Sequence, residues 1–479
     1  MKSFIAIDVG AGSGRIFLSD YHNGIVRVNE AHRFPAKSVI KDGSLHWDFD
    51  FIINEIKSGL SGLLSKDISS IGVDTWGVDY GLLGGNGYLL ENPYAYRDSR
   101  TNGISAKVFN IISESELYKL TGIQLMEINT IFQLYAAGIN TPDILERAKD
   151  LLFIPDLINY FLTGNKRNEY TVASTSQLLN PYTKNWERDI FDKLNIPAGI
   201  MQEIVMPGNV IGSYKDINVV SVGSHDTASA ITSIPATDDK FAYISSGTWS
   251  LMGLETYSPV INSETKKMNF TNEGGVFGTT RLLKNINGLW ILEQCKKEWD
   301  KERKYSYSEL MKMPNNIHYI KTVIEPDAQE FINPPCMIEA INNFCKMTNQ
   351  QIPRSIPDYV FVILSSLALK YRYVLEQIIK LNVKEINRIH IVGGGSGNKV
   401  LCRFTANAAG LPVIAGPHEA TIIGNTLMQC KAAGLVNNLS EMRKIVKDSF
   451  HLEQYYPEDS DLWNGKFDKF KEIKIKYNF

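Results

Sequence analysis

The chain has 479 residues, 44% hydrophobic and 21% charged, with a formal net charge of −2. That length builds two or three domains with full cores. The near-neutral balance excludes the broad basic field of a nucleic-acid or anionic-membrane binder. Five scattered cysteines, Cys295, Cys336, Cys345, Cys402 and Cys430, form no C-x-x-C pair. Neither a disulfide framework nor a zinc site is therefore expected, and the cytoplasm is the expected compartment. No run reaches the ~20 apolar residues of a membrane span. The N-terminus enters a strand directly, without the apolar region of a signal peptide.

The first element is a hairpin. Apolar Phe4–Ile7 runs into Asp8-Val9-Gly10-Ala11-Gly12-Ser13-Gly14-Arg15 and resumes at Ile16-Phe17-Leu18. Three glycines in five residues let backbone N–H groups approach an anion, and a carboxylate at a strand end can face a cation. The pairing fits a polyphosphate with Mg²⁺. A Walker loop needs a lysine after Gly14, and a Rossmann fingerprint opens a helix. Here Arg15 leads into a second strand, so a plain structural turn is the competing reading. A turn at His22–Gly24 and a strand at Ile25–Val28 follow. Ile52, Ile53, Ile56, Leu60, Leu63 and Leu64 then repeat at helical spacing behind Asp48–Asp50. Ser70–Val73 is a short buried strand that ends in Asp74-Thr75-Trp76-Gly77-Val78-Asp79.

Trp76, Arg97 and Asp98 combine a flat apolar surface with hydroxyl-binding charges, as a sugar site requires. The competing reading of Asp98 is a surface ion pair with Arg97 or Arg100. Val219–Val222 is an apolar strand leading into Ser224-His225-Asp226-Thr227. A carboxylate there can take a proton from a substrate hydroxyl, yet on spacing alone a helix N-cap is the better reading of Asp226. His225 reads as a structural histidine. A polar, proline-containing linker at Ser233–Lys240 marks a domain boundary.

The second half repeats the order of the first. Phe241–Leu251 holds another hairpin, Ser245-Ser246-Gly247-Thr248-Trp249-Ser250, and strands are expected over 241–255 and 267–283. A helix is predicted from about Asp358 to Lys380, with Ile363, Leu367, Tyr371, Val374 and Ile378 on one face. The strand Ile389–Val392 runs into Gly393–Gly397, and a helix is predicted from Asn398. That glycine loop before a helix N-terminus fits an adenine nucleotide better than a tight turn does. Domains are expected at 1–235 and 236–447, with 448–479 a terminal segment packing back on the first. Two α/β halves with glycine-rich loops predict an ancient duplication around an interdomain cleft.

Taken together, these motifs resemble the FGGY carbohydrate kinases, within the wider actin/Hsp70/sugar-kinase superfamily. Asp8–Arg15, Ile71–Asp79, Ala95–Thr101, Ser224–Ala230 and Ser245–Leu251 carry the resemblance. Thr271–Gly275, Lys284–Ile286, His390–Gly395 and Ala415–Pro417 extend it, in order, over nearly the whole chain. The resemblance implies an α/β fold of two ribonuclease-H-like domains flanking a cleft. It implies transfer of the ATP γ-phosphoryl group to O1 of L-rhamnulose, with Mg²⁺ as cofactor. Asp226 would then be the general base. Gly77, Trp76, Arg97, His225, Thr227 and Asn285 would lie at the sugar. Ala11, Gly12, Ser13, Gly14, Arg15, Thr248, Gly394 and Gly395 would lie at the nucleotide, and Asp8 would act on Mg²⁺ through water. The implied partners are the sugar and ATP, with no nucleic acid or membrane and with a monomer compatible. One departure stands out. The family pattern has a nucleotide-contacting glutamine where this chain carries Glu293 followed by Gln294. A carboxylate beside ATP phosphates is unfavourable, so either Gln294 substitutes or that contact is to ribose or base; on this reading Glu293 stays outside the site. The alternatives are a kinase for another ketose, such as L-fuculose or L-xylulose, or a nucleotide-switch protein that needs no hydroxyl-activating base. A sugar-sensing regulator would add a helix-turn-helix segment, and none is seen.

Overall fold

Strand Lys2–Val9 (β1) buries every side chain from Phe4 to Val9. A strand apolar on both faces belongs at the centre of a covered sheet. In the computed structural model, which describes residues 1–64, 66–317 and 319–479, β1 lies between Ser13–His22 (β2, antiparallel) and Ile68–Thr75 (β4, parallel). With Ile25–Pro35 (β3), Asn209–Tyr214 (β5) and Ile217–Ser221 (β6), the order is β5-β6-β4-β1-β2-β3. Helix Phe49–Ser61 (α1) connects β3 to β4. Asp48 caps it by accepting from Phe51 N–H at 3.1 Å, and its buried Ile52, Ile53, Ile56 and Leu60 form the predicted apolar face. The two-residue strand period puts Ile5, Ile7 and Val9 in one core with that helix face.

The even positions face elsewhere. Ala6 and Phe17 pack against Ile422 of helix Ala420–Ala432 (α7). This helix lies on the sheet through satisfied polar groups. Gln429 donates to the Ile5 carbonyl at 2.9 Å and accepts from Ser70 Oγ at 2.7 Å, and Thr426 Oγ1 donates to Ser19 Oγ at 2.9 Å. Close approach requires two glycines. A Cβ at Gly72 would stand 2.5 Å from Asn425 Oδ1. At Gly424 it would stand 1.8 Å from the Ser229 carbonyl oxygen of helix Asp226–Thr232 (α3).

The chain divides into two contact units. The first holds Met1–Thr237, Glu255–Leu282 and Ala420–Ser449, and the second holds Asp238–Leu254, Leu283–Glu419 and Phe450–Phe479. Strands Phe241–Ser246 (β7), Trp249–Thr256 (β8), Thr280–Asn287 (β9), Arg388–Val392 (β10), Val413–Ala415 (β11) and Glu453–Tyr455 (β12) lie in the order β9-β8-β7-β10-β11-β12. This repeats β3-β2-β1-β4-β6, with β7 antiparallel to β8 and parallel to β10. Helix Ile356–Lys380 (α5) stands between β9 and β10 as α1 stands between β3 and β4. The predicted duplication is therefore one of topology.

Two expectations change. The α5 helix is enclosed and not one-faced: every residue from Tyr359 to Tyr371 is buried, and buried Lys370 is paired with Glu325 and Asp327 at 2.7 Å each. The terminal segment groups with the second unit and not with the first. Its helix Ser460–Tyr477 (α9) packs on α5 and on Lys399–Ala409 (α6), with Trp463 against Phe404 and Phe470 against Tyr373. The segment that does return is Ala420–Ser449, because α7 carries the polar and small residues that fit the β1–β4 face. Among the described residues no helix is long and apolar enough to cross a membrane.

Candidate active site

Register places three charges side by side at the ends of β1, β2 and β4. Asp8 pairs with Arg15 on β2 and with Asp74 on β4. The Arg15 guanidinium lies 2.5 Å from Asp8 Oδ2. The hairpin tip closes with Gly10 N–H on the Ser13 carbonyl at 3.0 Å, leaving Ala11 and Gly12 exposed. Gly14 has a packing reason for being glycine, since a Cβ there would meet the Phe34 ring at 2.1 Å, whereas Gly12 faces open space. Buried Asp74 accepts from Asn425 Nδ2 at 2.6 Å on Oδ2, while its buried Oδ1 has no partner. Burial, reinforced by the Asp8 charge, pushes the Asp74 carboxyl well above the usual carboxylate range. Among the described residues no group of three His, Cys, Asp or Glu side chains could hold a metal ion.

Beyond β4 the Asp74–Asp79 loop is built around Asp79. Its Oδ2 accepts from Trp47 Nε1 at 2.7 Å, Trp76 Nε1 at 2.9 Å and Tyr96 N–H at 3.1 Å, and its Oδ1 from Gln133 Nε2 at 3.0 Å. Burial raises this carboxyl to about 6 against those four donors. Trp76 is 6% exposed and its ring lies 4.3 Å from that of Trp47, so it offers little free surface. Gly77 is half-buried, and a Cβ there would stand 2.8 Å from Thr175 Oγ1. Arg97 is half-buried beside the Tyr96 ring. The surface-ion-pair reading of Asp98 is overturned. Asp98 is buried and accepts from Leu45 N–H at 2.6 Å and Arg100 N–H at 2.9 Å, while the Arg100 side chain donates to Gln133.

The β6–α3 junction presents Asp226. His225, not Asp226, is the N-cap residue, and Asp226 is the first residue of the helix. The cap reading therefore fails. Asp226 Oδ1 accepts from Thr227 N–H at 2.5 Å and Thr227 Oγ1 at 3.1 Å, and the side chain is 32% exposed. Residues far along the chain hold the junction. Glu169 Oε2 accepts from Ser224 N–H at 3.2 Å, and Thr171 Oγ1 accepts from His225 N–H at 3.1 Å. His225 Nδ1 lies 3.0 Å from Arg281 Nη2 and 3.4 Å from Glu273 Oε2, and Nε2 lies 3.5 Å from Asp226 Oδ1. Arg281 is fully buried; it also donates to the Gly274 carbonyl and pairs with Glu273 at 3.2 Å. Burial alone would raise the Glu273 carboxyl, but its neighbours, the Arg281 guanidinium foremost, outweigh it and hold it below the usual range. Sequence reading missed Glu169 and Arg281 and gave Glu273 only as part of a motif. All three lie at least 48 residues from Ser224 and His225, the junction residues they contact, and only a run such as Asn272–Gly275 hints at them.

In the second unit, Gly247 and Thr248 form the turn from β7 to β8. Their carbonyls accept from Leu289 and Gly288 at 3.0 and 3.1 Å, which seats helix Trp290–Trp299 (α4) on the turn. Thr248 Oγ1 donates to Glu293 at 3.2 and 3.4 Å. Glu293, left outside the site by sequence reading, thus sits on the Thr248 hydroxyl, whereas Gln294 accepts from Lys297 at 3.5 Å. The parallel neighbour β10 ends in the Gly393–Gly397 loop. Gly393 has φ +80°, and a Cβ at Gly395 would stand 2.0 Å from Ser246 Oγ. Only glycine fits at 395, next to the end of β7, while Gly394 meets nothing nearer than 4.0 Å. Asn398 caps α6 by accepting from Leu401 N–H at 3.0 Å. Asn285 lies half-buried on β9.

Residues 3–245 match the FGGY family of carbohydrate kinases, N-terminal domain, and residues 242–433 match its C-terminal domain. The chain is 42% identical over 482 residues to rhamnulokinase of Bacteroides thetaiotaomicron, covering 98% of this chain and 99% of that protein. It is 39% identical to rhamnulokinase of Pectobacterium atrosepticum, covering 99% and 97%. Among solved structures it resembles ligand-bound xylulose kinase from Lactobacillus acidophilus, with a TM-score of 0.81, 17% identity and coverage of 99% and 98%. Plasmodium falciparum glycerol kinase with ADP gives a TM-score of 0.75 at 15% identity, covering 98% of each chain.

Proposed function

The chain belongs to the FGGY family of carbohydrate kinases, and from that premise we propose that it transfers the γ-phosphoryl group of ATP to O1 of L-rhamnulose, giving L-rhamnulose 1-phosphate and ADP. The observation that carries the sugar assignment is the identity of 36–42% to eight rhamnulokinases over 94–99% of this chain. The five free cysteines and the need for ATP fit a cytoplasmic enzyme.

Phosphoryl transfer asks the protein for positioning and charge neutralisation more than for covalent chemistry. Asp226, on a rigid strand-to-helix junction and partly exposed, is the base that accepts the O1 proton. His225, Thr227, Gly77, Arg97 and Asn285 position the sugar, with Trp76 bracing the Gly77 loop through Asp79. The bare tip at Ala11–Gly12, with Ser13, Gly14 and Arg15, supplies N–H groups and charge to phosphate. Thr248, Gly394 and Gly395 serve the nucleotide. Asp8, with the orphaned Asp74 oxygen beside it, suits a Mg²⁺ ion held mainly by water and phosphate oxygens. When bound, that ion neutralises phosphate charge.

The test is turnover by the full-length protein over a ketose panel, read as ADP release and as the position of the phosphate on the product. L-Rhamnulose is expected to give the highest kcat/KM, with phosphate on O1. A preference for L-fuculose or L-xylulose would sink the sugar assignment and leave the kinase class standing. Asp226→Asn is expected to bind ATP normally and to lose about 10²–10⁴-fold in kcat; near-normal turnover would remove Asp226 from its role.

A further inference from the structure

Every donor around Asp226 converges on one carboxylate oxygen. Thr227 N–H and Thr227 Oγ1 reach Oδ1 at 2.5 and 3.1 Å, and His225 Nε2 stands 3.5 Å from the same atom. Oδ2 is left open on a side chain that is one-third exposed. What His225 offers Oδ1 depends on which ring nitrogen carries the proton, and the far side of the ring decides that. Nδ1 lies between Arg281 Nη2 at 3.0 Å and Glu273 Oε2 at 3.4 Å. These neighbours make opposite demands, because a carboxylate asks for Nδ1–H and a guanidinium asks for a lone pair. Arginine has only donors and stays charged, and its contact is the shorter one. Glu273 is meanwhile neutralised by Arg281 itself at 3.2 Å.

We infer that Arg281 is a positioning residue that fixes His225 as the neutral Nε2–H tautomer, and that this makes Asp226 Oδ2 the oxygen that takes the sugar proton. Both Thr227 donors already occupy Oδ1, and an Nε2–H at 3.5 Å adds an electrostatic contact on the same oxygen, so Oδ2 keeps the open lone pairs. As sugar O1 bonds the γ-phosphorus and the bond to ADP breaks, the O1 proton passes to Oδ2. Arg281 is fully buried and acts only through the ring. The inference rests on Asp226 being the base proposed above.

Two readouts separate the two claims. In full-length protein labelled with ¹⁵N-histidine, long-range ¹H–¹⁵N spectra at pH 7.5 are expected to show His225 with a protonated Nε2 and an unprotonated Nδ1. This measurement needs no turnover, so it holds or fails independently of the sugar and of the base. Arg281→Lys, whose ammonium is also donor-only, is expected to keep the tautomer and most of kcat. Arg281→Met is expected to release the ring toward Nδ1–H on Glu273 and to lower kcat by up to about 10²-fold, the size of a misplaced catalytic group, with KM for ATP unchanged. An Nδ1–H or doubly protonated His225 in the native protein would overturn the inference. So would a Lys variant as impaired as the Met variant while its ring stays Nε2–H. If the Met variant does not fold, the native and Lys spectra still decide.

Discussion

Glu293, which sequence reading left outside the site, stands on the turn that carries Thr248, and that position gives it a chemical meaning. Its carboxylate accepts from Thr248 Oγ1 on the turn between β7 and β8. A carboxylate can only accept and repels phosphate oxygens, so at a nucleotide site it suits ribose hydroxyls and not the triphosphate. Glu293→Gln keeps an acceptor and adds a donor. Its expected effect is a change in KM for ATP of no more than about 5-fold with kcat held, and Glu293→Ala should raise that KM by roughly 10-fold, the worth of one charged hydrogen bond. Steady-state kinetics with ATP varied are the check. A loss in kcat at saturating ATP in Glu293→Gln would place the carboxylate at the phosphates instead. Thr248 was legible in the sequence because it lies within a local motif. The Thr248–Glu293 contact was not, since it spans 45 residues and depends on how α4 seats on the turn.

Among the elements, the hairpins, α1 and the Asn398-capped helix were readable from local periodicity and capping, because their partners lie within a few residues. The α7 helix was not. Asn425 and Gln429 look like solvent-facing residues in the sequence, yet both are fully buried against β1 and β4. The same holds for the link from β6 to α3. One carboxylate, Glu169, caps the helix Tyr170–Ala173 through Val172 N–H at 3.1 Å and grips Ser224 N–H just before His225. Burial raises this carboxyl from the ordinary 4.5 to about 7 against its hydrogen bonds. Because the folded value is the higher one, the stability it contributes is fully present below pH ~4.5 and is lost as pH rises through 7. The difference corresponds to roughly 3 kcal/mol. Glu169→Gln cannot ionise. Its thermal midpoint relative to the native protein is therefore expected to climb between pH 4.5 and pH 8. A midpoint difference that stays constant over that range would show that the carboxyl does not titrate there.

At the scale of the whole molecule, sequence order and spatial order part company. The chain first passes from one unit to the other at Thr237–Asp238, within the polar, proline-containing stretch Ser233–Lys240. Composition cannot show that the first unit also needs Glu255–Leu282 and Ala420–Ser449. Those segments bring Arg281 and Glu273 to His225, Asn425 to Asp74, and Ile422 to Ala6 and Phe17. A fragment of residues 1–237 would leave the α7 face of β1 and β4 uncovered, with the Asp74 carboxyl and the Ile5 carbonyl stripped of their partners. Each protein hydrogen bond exchanged for water forfeits about 0.5–1.5 kcal/mol, and uncovered Ala6, Phe17 and the rest of that apolar face lose their burial at about 25 cal/mol per Å². Set against a typical stability of about 5–15 kcal/mol, these losses are decisive. The fragment is expected to melt without a cooperative transition and to bind a hydrophobic dye, while the full chain melts sharply. A sharp transition in the fragment, with its amides as protected from exchange as in the full chain, would show that 1–237 folds as a unit without its returning helix.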